Sequence, residues 1–247
     1  MKNLINFFSE SEITLVGTSN SVETLKNHPR VNKIFVLKKN YFYIYKTLKN
    51  FDKFDIFISF RGSFRSKIIK FFISATRKFQ YDKNKYVKGH QVEKYNSFIN
   101  QSLQINSRPS NLILHSFTQK KKVTSRLLGI NPGASYGSSK RWYPKEFANV
   151  ASQLSKNYDI VIFGGKAEIN ISKDIENYLI QNGVFNYKNL AGKTTLSELI
   201  EQISYLDLFV TGDSGPMHIA GGLQIPTVSI FGPTIAEQTS QWRNHNS

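Results

Sequence analysis

The sequence has no cysteine, only seven prolines, and 17 acidic residues against 33 lysines and arginines. Without cysteine, a disulfide scaffold, a thiolate metal site and a cysteine nucleophile are all excluded, so apolar burial must provide most of the stability. No apolar run approaches the roughly 20 residues that a membrane-spanning helix needs. Residues 1–12 lack the basic start, long apolar segment and cleavage site of a signal peptide. We therefore expect a folded, soluble, cytoplasmic protein.

The positive charge is concentrated in one half of the chain. Residues 1–126 contain 24 Lys and Arg against 7 Asp and Glu, whereas residues 127–247 contain 9 against 10. A basic surface of this kind attracts an anionic partner, which is a nucleic acid, a membrane surface or an acidic substrate. No recognised DNA- or RNA-binding module is visible, so a nucleic-acid partner is not expected.

The first half alternates short β-branched or aromatic runs with helical patterns, which is typical of a parallel α/β sheet. Strands are predicted over 13–17, 33–37, 55–60 and 77–81, and helices over 21–27, 41–50, 63–74 and 91–103. This half is therefore predicted to be Rossmann-like. Ligands of such sheets bind beyond the carboxyl ends of the strands, which makes Arg61 and Arg65 candidates for contact with an anion. The alternative is that each is an ordinary solvated surface charge.

In the second half, the apolar strand 127–131 runs directly into a loop rich in glycine and serine. The loop ends at Lys140 and Arg141, just before a helix that Pro144 opens. Small residues let backbone amides approach a phosphate, and the two basic residues supply positive charge. An ordinary connecting loop is the alternative.

The residues that follow the next two predicted strands indicate a function less specifically. A Gly-Gly turn follows the strand 159–163, with Glu168 just behind it. A carboxylate at this point suits a nucleotide ribose because it can accept protons from both hydroxyls. Gly192-Lys193-Thr194 resembles the end of a P-loop, but that pattern requires a glycine where Tyr187 stands. We predict instead a short strand and loop over 189–195, followed by a helix capped by Thr195 or Ser197.

The stretch after the strand 207–211 is the most informative part of the chain. Asp213 and Ser214 lie at a predicted helix N-terminus, where backbone amides and the helix dipole attract a diphosphate. Gly215 permits close backbone approach, and Pro216 suits the first helical turn. For Asp213 the alternative is a helix cap, and for His218, one turn into the helix, a partly buried structural histidine.

Taken in order, six motifs of the second half resemble glycosyltransferase family 9. They are Asn131-Pro132-Gly133-Ala134, Lys140-Arg141-Trp142 with Pro144, Phe163-Gly164-Gly165, Asn189-Leu190-Ala191-Gly192, Thr211-Gly212-Asp213-Ser214-Gly215-Pro216-Met217-His218 and Phe231-Gly232-Pro233-Thr234. The resemblance implies an α/β fold of the GT-B type, in which two Rossmann-like domains face one another across a cleft. The corresponding boundaries are a basic acceptor-side domain over 1–118, a linker over 119–126 and an ADP-sugar-binding domain over 127–247.

The resemblance further implies transfer of a heptose from ADP-heptose to the inner core of lipopolysaccharide, with inversion and without a cofactor or a bound metal. Lys140 would stabilise the leaving diphosphate, Glu168 would hold the ribose, and Asp213 would orient the heptose hydroxyls. The other donor-side residues that it implies are Ser135, Thr194, Ser214, Gly215 and His218. An anionic lipid-linked oligosaccharide acceptor would meet Arg61 and Arg65, with peripheral contact to the cytoplasmic face of the inner membrane.

Two parts of the family pattern are missing from this sequence. The family normally begins with a strand and a Gly-Asp loop whose aspartate is taken as the general base, but residues 1–12 are predicted to form a helix and no Gly-Asp pair precedes Gly212. The base is therefore assigned to none of Asp52, Asp55 and Asp82. The elements that usually close the donor domain are also missing after Thr234. A non-catalytic nucleotide-sugar-binding remnant of such an enzyme is the alternative function.

Overall fold

The computed structural model describes residues 2–38, 40–115, 125–133 and 141–244. The chain divides into two compact units, residues 1–110 and 111–247. The sequence placed 111–115 in the first domain, whereas the structure packs them on the second unit. There the Leu114 N–H donates to the Gly222 carbonyl at 2.8 Å, and the Leu114 side chain packs against the apolar cluster that includes Phe209 and Ile219. Most of the predicted linker, residues 119–124, lies outside the described residues.

The amino-terminal unit alternates helices and strands, as the sequence predicted. Its elements are α1 (Lys2–Phe7), β1 (Ile13–Gly17), α2 (Ser19–Leu25), β2 (Val31–Val36), α3 (Tyr41–Lys49), β3 (Phe54–Ser59), α4 (Phe64–Phe72), β4 (Ala75–Gln80) and α5 (Gln91–Leu103). Polar side chains cap the N-termini of the longer helices. Asn40 Oδ1 accepts from the Tyr43 N–H at 3.1 Å to cap α3, and His90 and Glu93 form a capping box at α5.

Within the described residues, the strands of the amino-terminal unit form two parallel pairs, β1 with β2 and β3 with β4, rather than the single sheet that a Rossmann-like unit implies. The two pairs still share an apolar core. Val16 of β1 and Phe57 of β3 both pack against a buried cluster that contains Leu37, Ile44 and Leu48. Local hydrophobic patterns predict strands, but they do not specify which strands pair, so the division into two sheets was not foreseen.

The carboxyl-terminal unit is a doubly wound parallel sheet. Its elements are β5 (Leu127–Asn131), α6 (Pro144–Leu154), β6 (Asp159–Ile162), a 3₁₀ turn (Lys166–Glu168), α7 (Ile169–Gln181), β7 (Tyr187–Asn189), α8 (Leu196–Ser204), β8 (Leu208–Gly212), α9 (Gly215–Leu223), β9 (Thr227–Ile230) and α10 (Ala236–Thr239). The strand order is β7-β6-β5-β8-β9, and every neighbouring pair is parallel.

Alternate side chains of these strands enter two different cores. Ile160 and Ile162 of β6 face a cluster built with α6 and α7, whereas Val161 joins a cluster built with α8 and α9. The strands therefore have apolar side chains on both faces, which is why they appear in the sequence as nearly continuous apolar runs. Chain order reverses between β5 and β8, and this switch point is where open α/β sheets form their ligand crevice.

Candidate functional site

The candidate site is the carboxyl edge of the second sheet around the switch point. The loops that follow β5 and β8 begin there side by side, because Asn131, which ends β5, is paired in register with Thr211 of β8. The turns after β6, β7 and β9 leave the sheet at the same edge, since all five strands are parallel. The sequence motifs that follow the five strands therefore lie at one edge of the fold.

A buried polar network joins the loop after β5 to the loop after β8. The Asn131 amide donates to Thr211 Oγ1 and to Ser214 Oγ, in both cases at 3.0 Å. The Thr211 hydroxyl donates in turn to the Gly212 carbonyl at 3.0 Å. Asn131 is 3% exposed and Thr211 is fully buried. Because buried hydrogen bonds of this kind fix geometry, the network sets the position of Ser214 relative to β5.

Asp213 is linked to the loop after β9. Its carboxylate Oδ2 accepts a hydrogen bond from Thr234 Oγ1 at 2.7 Å, and the residue is 9% exposed. The side chains of Asp213 and Ser214, just after β8, therefore have different partners. Asp213 is hydrogen-bonded to Thr234, and Ser214 is hydrogen-bonded to Asn131. The N-cap residue of α9 is Ser214 rather than Asp213.

The first turn of α9 begins beside these two side chains. The Ser214 hydroxyl makes no cap hydrogen bond and is instead directed to Asn131. Gly215 is exposed, and a Cβ placed on it would come within 4 Å of none of the described residues, so among these residues the helix N-terminus is not covered. His218 is also exposed, which contradicts the alternative of a partly buried structural histidine. Backbone amides at a helix N-terminus with open space before them can receive an anion.

Glu168 lies at the carboxyl end of β6 and is already engaged on both oxygens. Oε2 accepts from the Gly165 N–H at 2.9 Å, and Oε1 lies 3.5 Å from Arg141 Nη2. Its stem packs so closely on Gly133 that a Cβ at residue 133 would lie 2.6 Å from Glu168 Cγ. The pair with Arg141 partly neutralises the positive charge that the sequence assigned to the loop after β5.

Thr194 lies in the loop after β7 and is half-buried. The loop after β7 is hydrogen-bonded to the loop after β6, because the Gly192 N–H donates to the Gly164 carbonyl at 2.8 Å. Gly192 adopts φ +72°, which other residues rarely adopt. Thr195 caps α8 as predicted, with its side chain accepting from the Glu198 N–H.

Two of the predicted donor-site residues, Ser135 and Lys140, lie outside the described residues. The structure does describe the two ends of their loop, Gly133 and Arg141. Both ends adjoin Glu168, so the loop begins and closes next to that carboxylate.

The predicted acceptor-side arginines lie at the carboxyl end of β3 in the amino-terminal unit. The Arg61 side chain is exposed, while its carbonyl accepts from Ser66 Oγ at 2.7 Å and from Gln80 Nε2 at 3.0 Å. Arg65 is partly structural, since Nη2 donates to the Leu37 and Lys38 carbonyls at 3.1 and 2.6 Å. Arg61 is therefore the arginine whose charge faces solvent.

The three aspartates that received no catalytic assignment are exposed, and they lie at different edges of the sheet. Asp52 and Asp55 lie at the amino end of β3, opposite to the edge at which open α/β sheets bind ligands, whereas Asp82 follows β4 at the carboxyl end. Asp82 Oδ1 accepts from the Asn84 N–H at 3.0 Å.

Sequence reasoning missed three residues of the site. Asn131 and Thr234 were part of motifs but received no role, and Arg141 was interpreted as a phosphate contact rather than as the partner of Glu168. A polar residue at the end of an otherwise apolar strand, such as Asn131, is the signal that could have revealed the buried network.

Comparison with known proteins identifies the family. The sequence profile of glycosyltransferase family 9 (heptosyltransferase) matches residues 42–247. The chain belongs to glycosyltransferase family 9. Within this family it is similar to lipooligosaccharide heptosyltransferase 2 of Campylobacter jejuni subsp. jejuni serotype O:2, with 39% identity over 97% of this chain and 77% of that protein. The resemblance to glycosyltransferase family 9 that the six motifs indicate is confirmed.

Solved structures of family 9 proteins share the fold. The structure of E. coli ADP-heptose lps heptosyltransferase II matches 96% of this chain and 81% of its own, with a TM-score of 0.78 and 21% identity. A family 9 glycosyltransferase from Veillonella parvula matches 99% of this chain and 79% of its own, with a TM-score of 0.86 and 20% identity. The prediction of a GT-B-like α/β fold is confirmed.

The described residues contain neither a membrane-spanning helix nor a cluster of metal ligands. No helix among them has the length and apolar character to cross a bilayer. No group of three or more His, Asp or Glu side chains in those ranges is arranged to hold a metal ion.

Proposed function

We propose that this chain transfers heptose from ADP-heptose to the lipid-linked inner core of lipopolysaccharide at the cytoplasmic face of the inner membrane. The observation that best supports the proposal is the site at the β5/β8 switch point, where the open N-terminus of α9 adjoins the Asn131 network and Asp213. The 39% identical relative named lipooligosaccharide heptosyltransferase 2 supports the choice of donor and acceptor.

In this proposal the donor diphosphate lies at the N-terminus of α9, where the Ser214 and Gly215 amides and the helix dipole stabilise its charge. Ser135 adds a phosphate contact, and Lys140 neutralises the ADP that leaves. Asp213 orients the heptose hydroxyls, with His218 nearby. Glu168 holds the ribose, and the loop at Thr194 flanks the adenine.

The reaction is an inverting displacement. The acceptor hydroxyl oxygen forms a bond to the anomeric carbon while the bond from that carbon to the diphosphate oxygen breaks, and the electron pair leaves with ADP. Lys140 and the α9 dipole supply the positive field that a bound metal supplies in other transferases, so the proposed reaction needs no metal ion. A base must accept the hydroxyl proton, and no residue is assigned to that task.

A transfer assay tests the proposal. Purified chain is incubated with ADP-heptose and a lipid A–Kdo acceptor, with and without EDTA, and the product is identified by mass spectrometry. We expect a heptosylated product in both conditions, and Asp213→Asn should lower kcat/KM at least about tenfold because a charged hydrogen-bond acceptor is lost. Asp174→Asn, an exposed change on α7, is the matched control.

The assay also separates the alternatives. ADP binding by calorimetry without any product would identify a non-catalytic nucleotide-sugar-binding remnant. Absence of ADP binding would contradict the assignment of the switch-point site itself.

We further propose that the acceptor binds the amino-terminal unit through Arg61, which faces solvent at the end of β3. Charge reversal by Arg61→Glu should raise the acceptor KM about tenfold, because an exposed attraction becomes a repulsion, and leave the Kd for ADP unchanged. Lys188→Glu, exposed on β7 of the other unit, controls for net charge. An equal change in both variants would show that only the total charge matters. Arg65→Glu is less informative because it also breaks the bonds to Leu37 and Lys38.

A further inference from the structure

Helix α3 presents an aromatic and basic stripe to solvent. Ile44 and Leu48 are buried at 0% and 1% exposure and attach the helix to the core. Phe42, Lys46 and Lys49 lie on the opposite side, at the i, i+4, i+7 spacing that aligns side chains along a helix. All three are exposed, and Phe42 has 75% of its surface in solvent. A phenylalanine this exposed buries little apolar surface within its own unit, so it adds little to the stability of the fold.

Helix α4 repeats the arrangement. Ser66 is buried, and Ile69 packs against the same cluster that holds Ile44 and Leu48. Phe64, Lys67 and Phe71 lie on the outer side at i, i+3 and i+7. Phe64 is 72% exposed and Phe71 is 78% exposed.

The two stripes belong to one surface. The Tyr45 ring of α3 meets the Phe72 ring of α4 edge-on, with centroids 5.0 Å apart, so the helices lie side by side. Both also pack on the same buried cluster, and both stripes point away from it. We call this surface the α3–α4 face, and it consists of Phe42, Lys46, Lys49, Phe64, Lys67 and Phe71.

The chemistry of the face combines exposed aromatic rings with positive charge. Neither helix contains an acidic residue, and α3 adds three tyrosines, Tyr41, Tyr43 and Tyr45, each at least 38% exposed. Aromatic rings partition to the boundary between headgroups and acyl chains, and lysines are attracted by anionic headgroups. The surface of an anionic bilayer offers both the headgroup boundary for the rings and the negative charge for the lysines.

We propose that the α3–α4 face docks on an anionic phospholipid bilayer, with the phenylalanines inserted at the headgroup boundary and the lysines on the phosphates. A second copy of the chain fits less well, because it would set one lysine stripe against another. The proposal builds on the proposed function, since a lipid-linked acceptor is embedded in such a surface. Its test requires neither the donor nor the acceptor, so the two proposals can fail separately.

Vesicle sedimentation measures the docking directly. The chain is mixed with vesicles of phosphatidylglycerol and phosphatidylcholine, or of phosphatidylcholine alone, and the bound fraction gives a partition coefficient. We expect binding to the anionic vesicles that weakens with salt. The triple variant Lys46→Gln, Lys49→Gln, Lys67→Gln should lower the coefficient about 100-fold, at a contribution of about 1 kcal/mol per lysine.

The aromatic contribution is measured with Phe42→Ser, Phe64→Ser, Phe71→Ser, which should lower the coefficient at least about tenfold. The matched control is Phe185→Ser with Lys188→Gln on the other unit, where Phe185 is 73% exposed. It should stay within about twofold of wild type. Far-UV circular dichroism verifies that all variants are folded.

Three results would overturn the proposal. One is a wild-type chain that does not bind anionic vesicles, and another is an equal loss in the control variant. The third is a dimer in sedimentation equilibrium that the phenylalanine variant dissociates, which would make the face an interface between copies.

Discussion

Replacing Lys140 with alanine is expected to lower kcat for heptose transfer by about 10²–10³-fold, the usual cost of removing one group that stabilises charge developing in the transition state. Negative charge accumulates on the ADP diphosphate as its bond to the sugar breaks, and Lys140 is the residue proposed to meet it. Arg141 is poorly placed to substitute, because its guanidinium lies 3.5 Å from the Glu168 carboxylate. The steady-state rate of ADP release measures the effect.

The matched control is Lys145→Ala, which removes an exposed lysine from the first turn of α6, a few residues along the chain. It should leave kcat unchanged, and Lys140→Arg should restore most of the rate because it returns the charge. A Lys140→Ala variant that retains the wild-type kcat would show that the helix dipole alone stabilises the leaving group.

Replacing Asn131 with leucine should reduce the free energy of unfolding of the carboxyl-terminal unit by about 2 kcal/mol, since buried hydroxyls lose their donor. Leucine has nearly the same shape, so the change removes hydrogen bonds without opening a cavity. The bonds to Thr211 and Ser214 are lost together. ADP affinity should fall as well, because Ser214 begins the helix that is proposed to hold the diphosphate.

Tryptophan fluorescence isolates this unit in a urea titration. The chain has two tryptophans, Trp142 and Trp242, and both lie beyond residue 110. Trp142 packs against the core, with its ring 5.2 Å from that of Phe147. Asn149→Leu, at a half-buried position on α6, controls for a gain in apolarity. Equal midpoints for wild type and Asn131→Leu would contradict a stabilising role for the network.

Local sequence patterns predicted helices and strands well where the residues of the element itself determine its bounds. The helix Gln91–Leu103 and the strand Leu127–Asn131 match their predicted bounds. Other ends shifted because hydrogen bonding to a neighbour decides them. The short strand predicted within 189–195 is β7 at Tyr187–Asn189, where it pairs with Ile160 to Ile162 of β6.

The order of motifs predicted the family and the edge of the sheet at which the loops meet, because parallel strands bring their carboxyl ends together. It did not predict which side chains make contact. Asn131 and Thr211 are 80 positions apart in the sequence, and their hydrogen bond depends on β5 and β8 being neighbours. The bond from Thr234 to Asp213 likewise requires the position of β9 beside β8.

The division of the amino-terminal strands into two pairs has a consequence for how the chain opens. In the described residues, each of β1 to β4 is hydrogen-bonded to one neighbouring strand, whereas β5, β6 and β8 are each held on both sides. Two-stranded ribbons are marginal alone, and segments with few enclosed backbone bonds open at low free-energy cost. We therefore expect amide protons of β1 to β4 to exchange with solvent through local fluctuations. Exchange of the amide protons of β5 and β8 should require unfolding of the whole carboxyl-terminal unit. The half of the chain with most of the positive charge is thus also the half that opens first.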